Sequence, residues 1–307
     1  MRNASGSAIG LLAGVVVDAV VADPRSGHPV AVFGRAAEAL ERRMYRDSRA
    51  CGAAFALVCV VGAASAGAVV ERASGGRVAR PVMVAAATWA VLGGESLRRE
   101  AAVLRELLTR DDLAAARERL THLVGRDPSG LDGSEIARAA VESVAENTSD
   151  AVVAPLLWGA VGGVPALFAY RAVNTLDAMV GHRSARYARF GWASARADDV
   201  ANLIPARITA VLVALVSGRP GDVLRIARRD ARRHPSPNSG WCEAAFAGAL
   251  DVRLGGVNVY GDRVEERPFL GDGKPPQAAD LPRAGVLLRR VTGVAAVLAA
   301  LVVWARS

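Results

Sequence analysis

The sequence predicts an all-α fold: a polytopic integral membrane helical bundle with amphipathic cytoplasmic helices and a broken or re-entrant segment at residues 151–170. Three observations lead there. Apolar residues make up 52% of the 307-residue chain, and mean hydropathy is positive at +0.24, high for a soluble protein. Uncharged runs occupy residues 3–17, 50–70, 81–94, 151–170, 208–218 and 291–305, and two of them reach the roughly 20 residues that a bilayer crossing needs. The net charge of +8 is carried by arginine, because Lys274 is the only lysine, and the arginines fall in bands between apolar runs, as at 35–49 and 219–233. Such bands mark cytoplasmic loops and anionic lipid as their partner, and argue against nucleic acid.

Each element follows in order. Residues 8–22 read as a retained first span, since Asp18 and Asp23 follow the apolar run without a small-residue cleavage pattern. Residues 50–70 form a second span, closed by Glu71, Arg72 and a Gly75-Gly76 turn. Pro81 opens a third helix that becomes charged at Glu95. Residues 98–124 place apolar side chains at helical spacing between dense charges, with Asp111-Asp112 able to cap a second helix, so about 98–135 is expected to be a cytoplasmic helical insertion. Ser134 and Glu135 begin the helix that carries Glu142, Glu146 and Asp150.

The run 151–170 is interrupted by Pro155 and by Gly162-Gly163-Val164-Pro165, a density of helix breakers that implies a kink or a re-entrant pair of half-helices. Topology favours the pair, because a full crossing would put the polar motifs before and after it on opposite faces. The expectation is therefore that Glu142–Asp150 and Asn174–Asp199 lie on the same side. Residues 219–283 read as a polar extramembrane stretch with little sign of strands, and about 286–305 as a terminal span, all within one membrane-embedded domain, 1–307. Cys51, Cys59 and Cys242 match no disulfide framework or zinc spacing and read as small buried hydrophobes.

Glu142, Glu146 and Asp150 fall at i, i+4 and i+8, along about 12 Å of one helix face. Such a face can hold Mg²⁺ with its phosphates; equally, it can be a solvated face whose last residues cap the next helix. Asn174 and Asp177 are one turn apart, and Asp198, Asp199 and Asn202 form another acidic-amide group, interleaved with Arg171, Arg183, Arg186, Arg196 and Arg207. Carboxylate, amide and arginine together suit a Mg-phosphate site, while surface ion pairs and lipid headgroups account for the arginines alone. The recurrence of this composition beside apolar segments tips the balance to function. His28, between Gly27 and Pro29, is either an acid-base group or a structural loop histidine. Asp18, inside an apolar run, needs a cavity or a partner. No GxxxxGK[ST], GxSxG, HExxH or CxxC occurs, so any ATP must be held by Mg²⁺, arginine and backbone amides.

Taken in order, "ADPRSGHPVAVFG", "VGRDPSGLDGSEIARAAVESVAENTSDAVVAPL", "YRAVNTLDAMVGHRSARYARFGWASARADDVANLIPARITA" and "PNSGWCEAAFAGALDVRLGGVNVYG" closely resemble the cobalamin biosynthesis family called CobD or CbiB. The resemblance covers nearly the whole chain. It implies a multi-pass protein of the bacterial inner membrane whose site faces the cytoplasm. It also implies an amide-forming ligase, adenosylcobinamide-phosphate synthase, that joins (R)-1-amino-2-propanol or its phosphate to a carboxylate of adenosylcobyric acid. ATP with Mg²⁺ is the implied co-substrate, and the corrinoid is substrate rather than prosthetic group. Other cobalamin-assembly membrane enzymes are expected partners.

On this resemblance Asp23, His28 and Glu146 are the expected catalytic residues, with Asp23 or His28 as the base for the amine proton. Asn147, Arg171, Asn174, Arg196, Arg207 and Asn238 are expected to bind substrate or phosphate, and Glu142, Glu146, Asp150, Asp177, Asp198 and Asp199 to bind metal. Three positions depart from the family pattern: Ala22, Ala151 and Asp262 stand where glycine is usual, and those glycines can serve close backbone approach. Two other readings stand against the ligase, a corrinoid or ion-coupled transporter and a non-catalytic membrane anchor for corrin-ring enzymes.

Overall fold

The computed structural model describes residues 2–24, 27–76, 78–125, 127–182, 184–260 and 263–306; Arg183 and Asp262 lie outside them. In chain order the helices begin with α1 (Arg2–Val21), α2 (Pro29–Met44), α3 (Arg49–Ala73), α4 (Ala79–Trp89), α5 (Gly94–Thr109) and α6 (Leu113–Leu120). Next come α7 (Gly133–Thr148), a π turn at Ser149–Val153, α8 (Ala154–Leu176) and a second π turn at Asp177–Gly181. There follow α9 (Tyr187–Phe190), α10 (Trp192–Ala201), α11 (Leu203–Val216), α12 (Pro220–Asp230) and α13 (Ser239–Leu250). Strands β1 (Leu254–Tyr260) and β2 (Arg263–Leu270) precede α14 (Asp280–Ala305). The all-α membrane bundle is therefore present. Arg49–Ala73, Gly133–Gly181 and Asp280–Ala305 are each long and apolar enough to cross a membrane, and α10 with α11 makes a bent pair that also qualifies.

The chain divides into two compact units, 1–93 with 154–202 and 295–307, and 94–153 with 203–294. In the first, α1 and α4 run parallel through a stripe of glycines one turn apart. A Cβ on Gly10 would come within 2.6 Å of Val84 Cβ, and one on Gly14 within 2.5 Å of Thr88 Cβ, so only glycine lets these backbones approach. Ala22 ends α1 at a φ of 56°, the left-handed conformation usual for a C-terminal glycine. Its strain accounts for the family glycine expected there. Ala151, by contrast, sits in a helical π turn that an alanine adopts without cost. Phe55, Leu176, Val180 and Phe190 close the core between α3 and the end of α8.

The break in 151–170 resolves into a reversal. Gly133–Gly181 counts 49 residues, which as one straight helix would run about 74 Å against a hydrocarbon core of about 30 Å. At Gly163 φ is 68° and ψ is −160°, and the helix folds back on itself. A Cβ on Gly159 would lie 3.7 Å from Leu167 Cβ, where eight residues of straight helix would separate them by about 12 Å. Trp158 Nε1 donates to Ala201 O at 3.1 Å while Tyr170 OH donates to Asn202 Oδ1 at 2.9 Å, so both arms meet one turn of chain. The tip rests on Gly67 of α3, whose Cα faces Pro165 Cα and Val164 O. Arg306 caps the first arm through Ala160 O and Val161 O.

In the second unit, the amphipathic hairpin forms as expected, with Asp112 Oδ1 accepting from Ala115 N to cap α6. The helix expected to begin at Ser134 is capped one step earlier, by a reciprocal box between Asp132 and Glu135. One expectation needs correction, because the polar stretch contains an antiparallel hairpin, β1 with β2. Valine alternation at 257–259 is a period-two signal too short to stand out among glycines.

Candidate functional site

Each unit gathers part of the expected site. In the first, Arg171 Nη1 donates to Asn174 Oδ1 at 3.4 Å, and Asn174 Nδ2 donates to Asp198 Oδ1 at 3.4 Å. Asn202 Nδ2 holds the other Asp198 oxygen at 3.0 Å and is itself fixed by Tyr170. The result is a carboxylate aimed by two amides with a guanidinium one step away, built from the second arm of the hairpin and from α10. Asp177 opens the second π turn, and its Oδ1 packs against the Cα of Gly181, where no side chain fits. Asp199 turns instead to the exposed Arg196, 3.4 Å away. His28 Nε2 lies 3.3 Å from Asp23 Oδ1 and edge-on to Trp89, whose Nε1 donates to Ala22 O. The two candidate bases are thus a pair. Arg186, one of the interleaved arginines, binds Glu41 at 3.1 Å and stacks on Tyr45, which accounts for it structurally.

In the second unit, Glu146 Oε1 accepts from Ser239 Oγ at 2.7 Å, a bond across 93 residues. Ser236 Oγ receives the backbone amides of Asn238 and Ser239 at 3.2 and 3.1 Å, fixing the turn into α13. Arg207 Nη1 donates to Asn238 Oδ1 at 2.9 Å with its guanidinium over the Trp241 ring. Asp150 is within electrostatic reach of Cys242, whose thiol is pushed up by burial and is therefore inert. Asn147 donates back to Ser143 O on its own helix at 3.0 Å.

Glu142, expected to bind metal, is engaged in this arrangement by Arg138 and by the backbone of β1. Its Oε1 accepts from Arg138 Nη1 at 3.2 Å and from Gly255 N at 2.9 Å. Arg138 also donates to Gly255 O at 2.7 Å, Val257 O at 2.9 Å and Asn258 Oδ1 at 3.2 Å. Both side chains are buried, so the pair clamps β1 to α7.

The family model described as "CobD/Cbib protein" matches residues 11–288. That stretch contains every expected site residue from Asp23 to Asn238. The chain belongs to the CobD/CbiB family. It is 54% identical over 303 residues to the cobalamin biosynthesis protein CobD of Mycobacterium tuberculosis (strain CDC 1551 / Oshkosh), covering 97% of this chain and 96% of that one. Against the CobD of Geobacter metallireducens it is 44% identical over 290 residues, 91% of each. Against that of Rhodobacter capsulatus it is 50% identical over 218 residues, 68% of this chain and 69% of that one. No solved structure matches.

Within this CobD/CbiB chain, sequence reasoning passed over Arg138, Ser239, His234 and Glu243. His234 is buried, accepts from Ser236 N at Nδ1 (3.1 Å), and turns Nε2 toward Glu243 Oε1 at 3.5 Å. Desolvation, and then the charge of Arg267, lower its pKa to about 4. It is therefore neutral at physiological pH, and an imidazolium would lose the Ser236 bond. The "HPSPNSG" run was the available signal: two prolines and two serines leading into a helix mark a rigid, capped turn.

Proposed function

We propose that the protein acts in cobalamin biosynthesis as an amide-forming ligase. It would join (R)-1-amino-2-propanol or its phosphate to a carboxylate of adenosylcobyric acid at the expense of ATP, from the cytoplasmic face of the inner membrane. Beside family membership, the observation that carries the reading is the Arg171–Asn174–Asp198–Asn202 chain, in which a carboxylate is oriented by amides next to a guanidinium at the end of apolar helices. Ion pairs that serve only stability do not need such aim.

Among the described residues no three His, Cys, Asp or Glu side chains gather as a metal cage. Mg²⁺ does not require one, since it takes one or two carboxylates together with substrate phosphates and water. Asp198, a carboxylate held in place by the Asn174 and Asn202 side-chain amides, suits that mode, with Asp177 and Asp199 as further candidates. Bound there, Mg²⁺ would offset the charge of the ATP phosphates. Arg171 would grip phosphate oxygens by its fork, and within the second unit Arg207 with Asn238 is a further candidate phosphate grip. In the chemistry, the corrinoid carboxylate takes the γ-phosphoryl group and releases ADP. The amine then attacks the acyl carbon, the bond to phosphate breaks, and the amine proton passes to the Asp23–His28 pair. Within the second unit, Glu146, held by Ser239, is the proposed catalytic carboxylate.

Purified full-length protein given adenosylcobyric acid, ATP, Mg²⁺ and aminopropanol phosphate should yield the amide, and Glu146→Gln should slow it. One specific feature, the reversed helix at Gly163, also suits a carrier. If no amide forms while corrinoid crosses vesicles containing the protein, that second reading replaces the first.

A further inference from the structure

The second unit opens a cavity of about 340 Å³ where α11 and α13 end and α14 begins, with Leu250, Val286, Leu287, Arg283 and Arg290 in its lining. Nothing in the ligase chemistry above uses it. The lining holds two guanidiniums and no carboxylate. Each guanidinium is set in place by the last residue of another helix: Arg283 Nη2 donates to Leu250 O at 2.8 Å, and Arg290 Nη1 donates to Val216 O at 3.3 Å. Arg283 also pairs with Asp280, one turn earlier, so its charge is balanced. Arg290 has no carboxylate partner among the described residues, and its bond to Val216 engages one of five N–H donors. Seven residues apart, the two arginines leave one face of α14 about 10.5 Å apart along its axis, a gap that two long side chains can share around one anion.

The ends of the apolar runs say what that anion carries. The uncharged run 208–218 stops beside the cavity, and the run 291–305 starts directly after Arg290. α14 is long and apolar enough to cross a membrane, and α11 with α10 makes a bent pair that also qualifies. The ends of such helices lie at headgroup depth, where arginine meets lipid phosphate. Val286 is an exposed apolar residue of the wall, so the occupant has an apolar body as well as an anionic end. A free phosphate ester has no use for that wall, whereas a phospholipid matches both parts.

We propose that this cavity holds an anionic phospholipid. Its phosphodiester lies between Arg283 and Arg290, gripped by the guanidinium forks. The glycerol backbone packs on Val286 and Leu250, and the acyl chains leave along the uncharged run after Arg290. The site shares no lining residue with the ligase chemistry and does not depend on it. Bound lipid joins α11, α13 and α14 through one headgroup and so stabilises the folded chain.

The test titrates the full chain in detergent micelles with phosphatidylglycerol or phosphatidylcholine and counts bound lipid by native mass spectrometry. Phosphatidylglycerol should bind the wild type and raise its melting temperature, and phosphatidylcholine, whose headgroup charge is balanced, should bind more weakly. An arginine beside an anionic headgroup is worth about five-fold in affinity, so Arg290→Gln should weaken phosphatidylglycerol about five-fold and the double variant with Arg283→Gln about twenty-five-fold. Arg289→Gln removes the same charge from the neighbouring exposed residue, which lies outside the lining, and should leave the affinity unchanged. Ala249→Trp fills the cavity from its half-buried wall and keeps both arginine bonds, so it should weaken the lipid without altering charge. Melting temperatures without lipid certify the fold, and if the arginine variants do not fold, Ala249→Trp decides. Equal losses in Arg289→Gln and Arg290→Gln overturn the proposal, because attraction to the whole basic surface then explains the binding. Unaltered binding in Ala249→Trp overturns it as well, as does phosphatidylcholine binding as tightly as phosphatidylglycerol. Displacement of the lipid by millimolar inorganic phosphate also overturns it, by making the cavity a site for soluble anions.

Discussion

Cysteines placed at Gly159 and Leu167 should form a disulfide with each other. The Cβ separation of 3.7 Å falls in the disulfide range of about 3.5–4.5 Å, whereas a straight or gently kinked span would hold the two about 12 Å apart. Val58 and Ala66, eight residues apart on α3 and both exposed, provide the control pair that cannot close. Native Cys51, Cys59 and Cys242 are first replaced by serine or alanine. Trimming buried Leu167 to cysteine costs about 2 kcal/mol in lost packing, and closing a nine-residue loop returns about 2–3 kcal/mol of chain entropy. The oxidised protein should therefore melt near the parent temperature and the reduced one below it. Intact-protein mass spectrometry after maleimide labelling reads the outcome, with the hairpin pair protected from alkylation and the control pair doubly labelled. If the pair at 159 and 167 alkylates as fast as the control, the segment does not reverse at Gly163 and the arrangement of its two arms described above is wrong.

Three further outcomes follow from the geometry. Arg138→Met strips the cation from buried Glu142 and leaves Gly255 and Val257 carbonyls without a donor, a loss of about 3–5 kcal/mol; amide exchange at Gly255 and Val257 should accelerate at least about a hundred-fold, and Arg138→Met with Glu142→Met should exchange more slowly than the single variant. His234, with a folded pKa of about 4 against about 6.5 unfolded, makes the unfolded state bind the proton first. Stability is thus full above about pH 6.5 and falls as pH drops toward 4, by about 2 kcal/mol at pH 5; a His234→Gln melting profile without this component checks it, while an identical pH dependence would contradict it. Ala22→Gly should raise the melting temperature, because relieving a left-handed alanine is worth about 1 kcal/mol, and any loss of stability there would count against the strained cap.

Much of the membrane architecture could be read from the chain because it depends on local, one-dimensional properties. The run 50–70 became α3, and Gly162-Gly163-Val164-Pro165 announced a break that the backbone makes at Gly163. The direction of that break came only from tertiary contacts, since a kink and a reversal share one composition. Burial was equally hidden. Arg138 looked like any arginine on a helix, and its clamp on Gly255 spans 117 residues. Glu142 and Glu146 share a helix face and a spacing, yet one is spent on β1 and the other on Ser239. Spacing names neighbours along a helix and is silent about the distant partner that decides each role.

The guanidinium that caps the hairpin's first arm comes from Arg306, 146 residues after the carbonyl it holds. During synthesis the reversed segment must enter the bilayer long before that cap exists, with the last carbonyls of its first arm still unclaimed. Insertion of α14 then becomes the step that locks the hairpin. Nascent chains arrested before α14 emerges should expose a tip that proteases or thiol reagents reach, and release of the finished chain should close it.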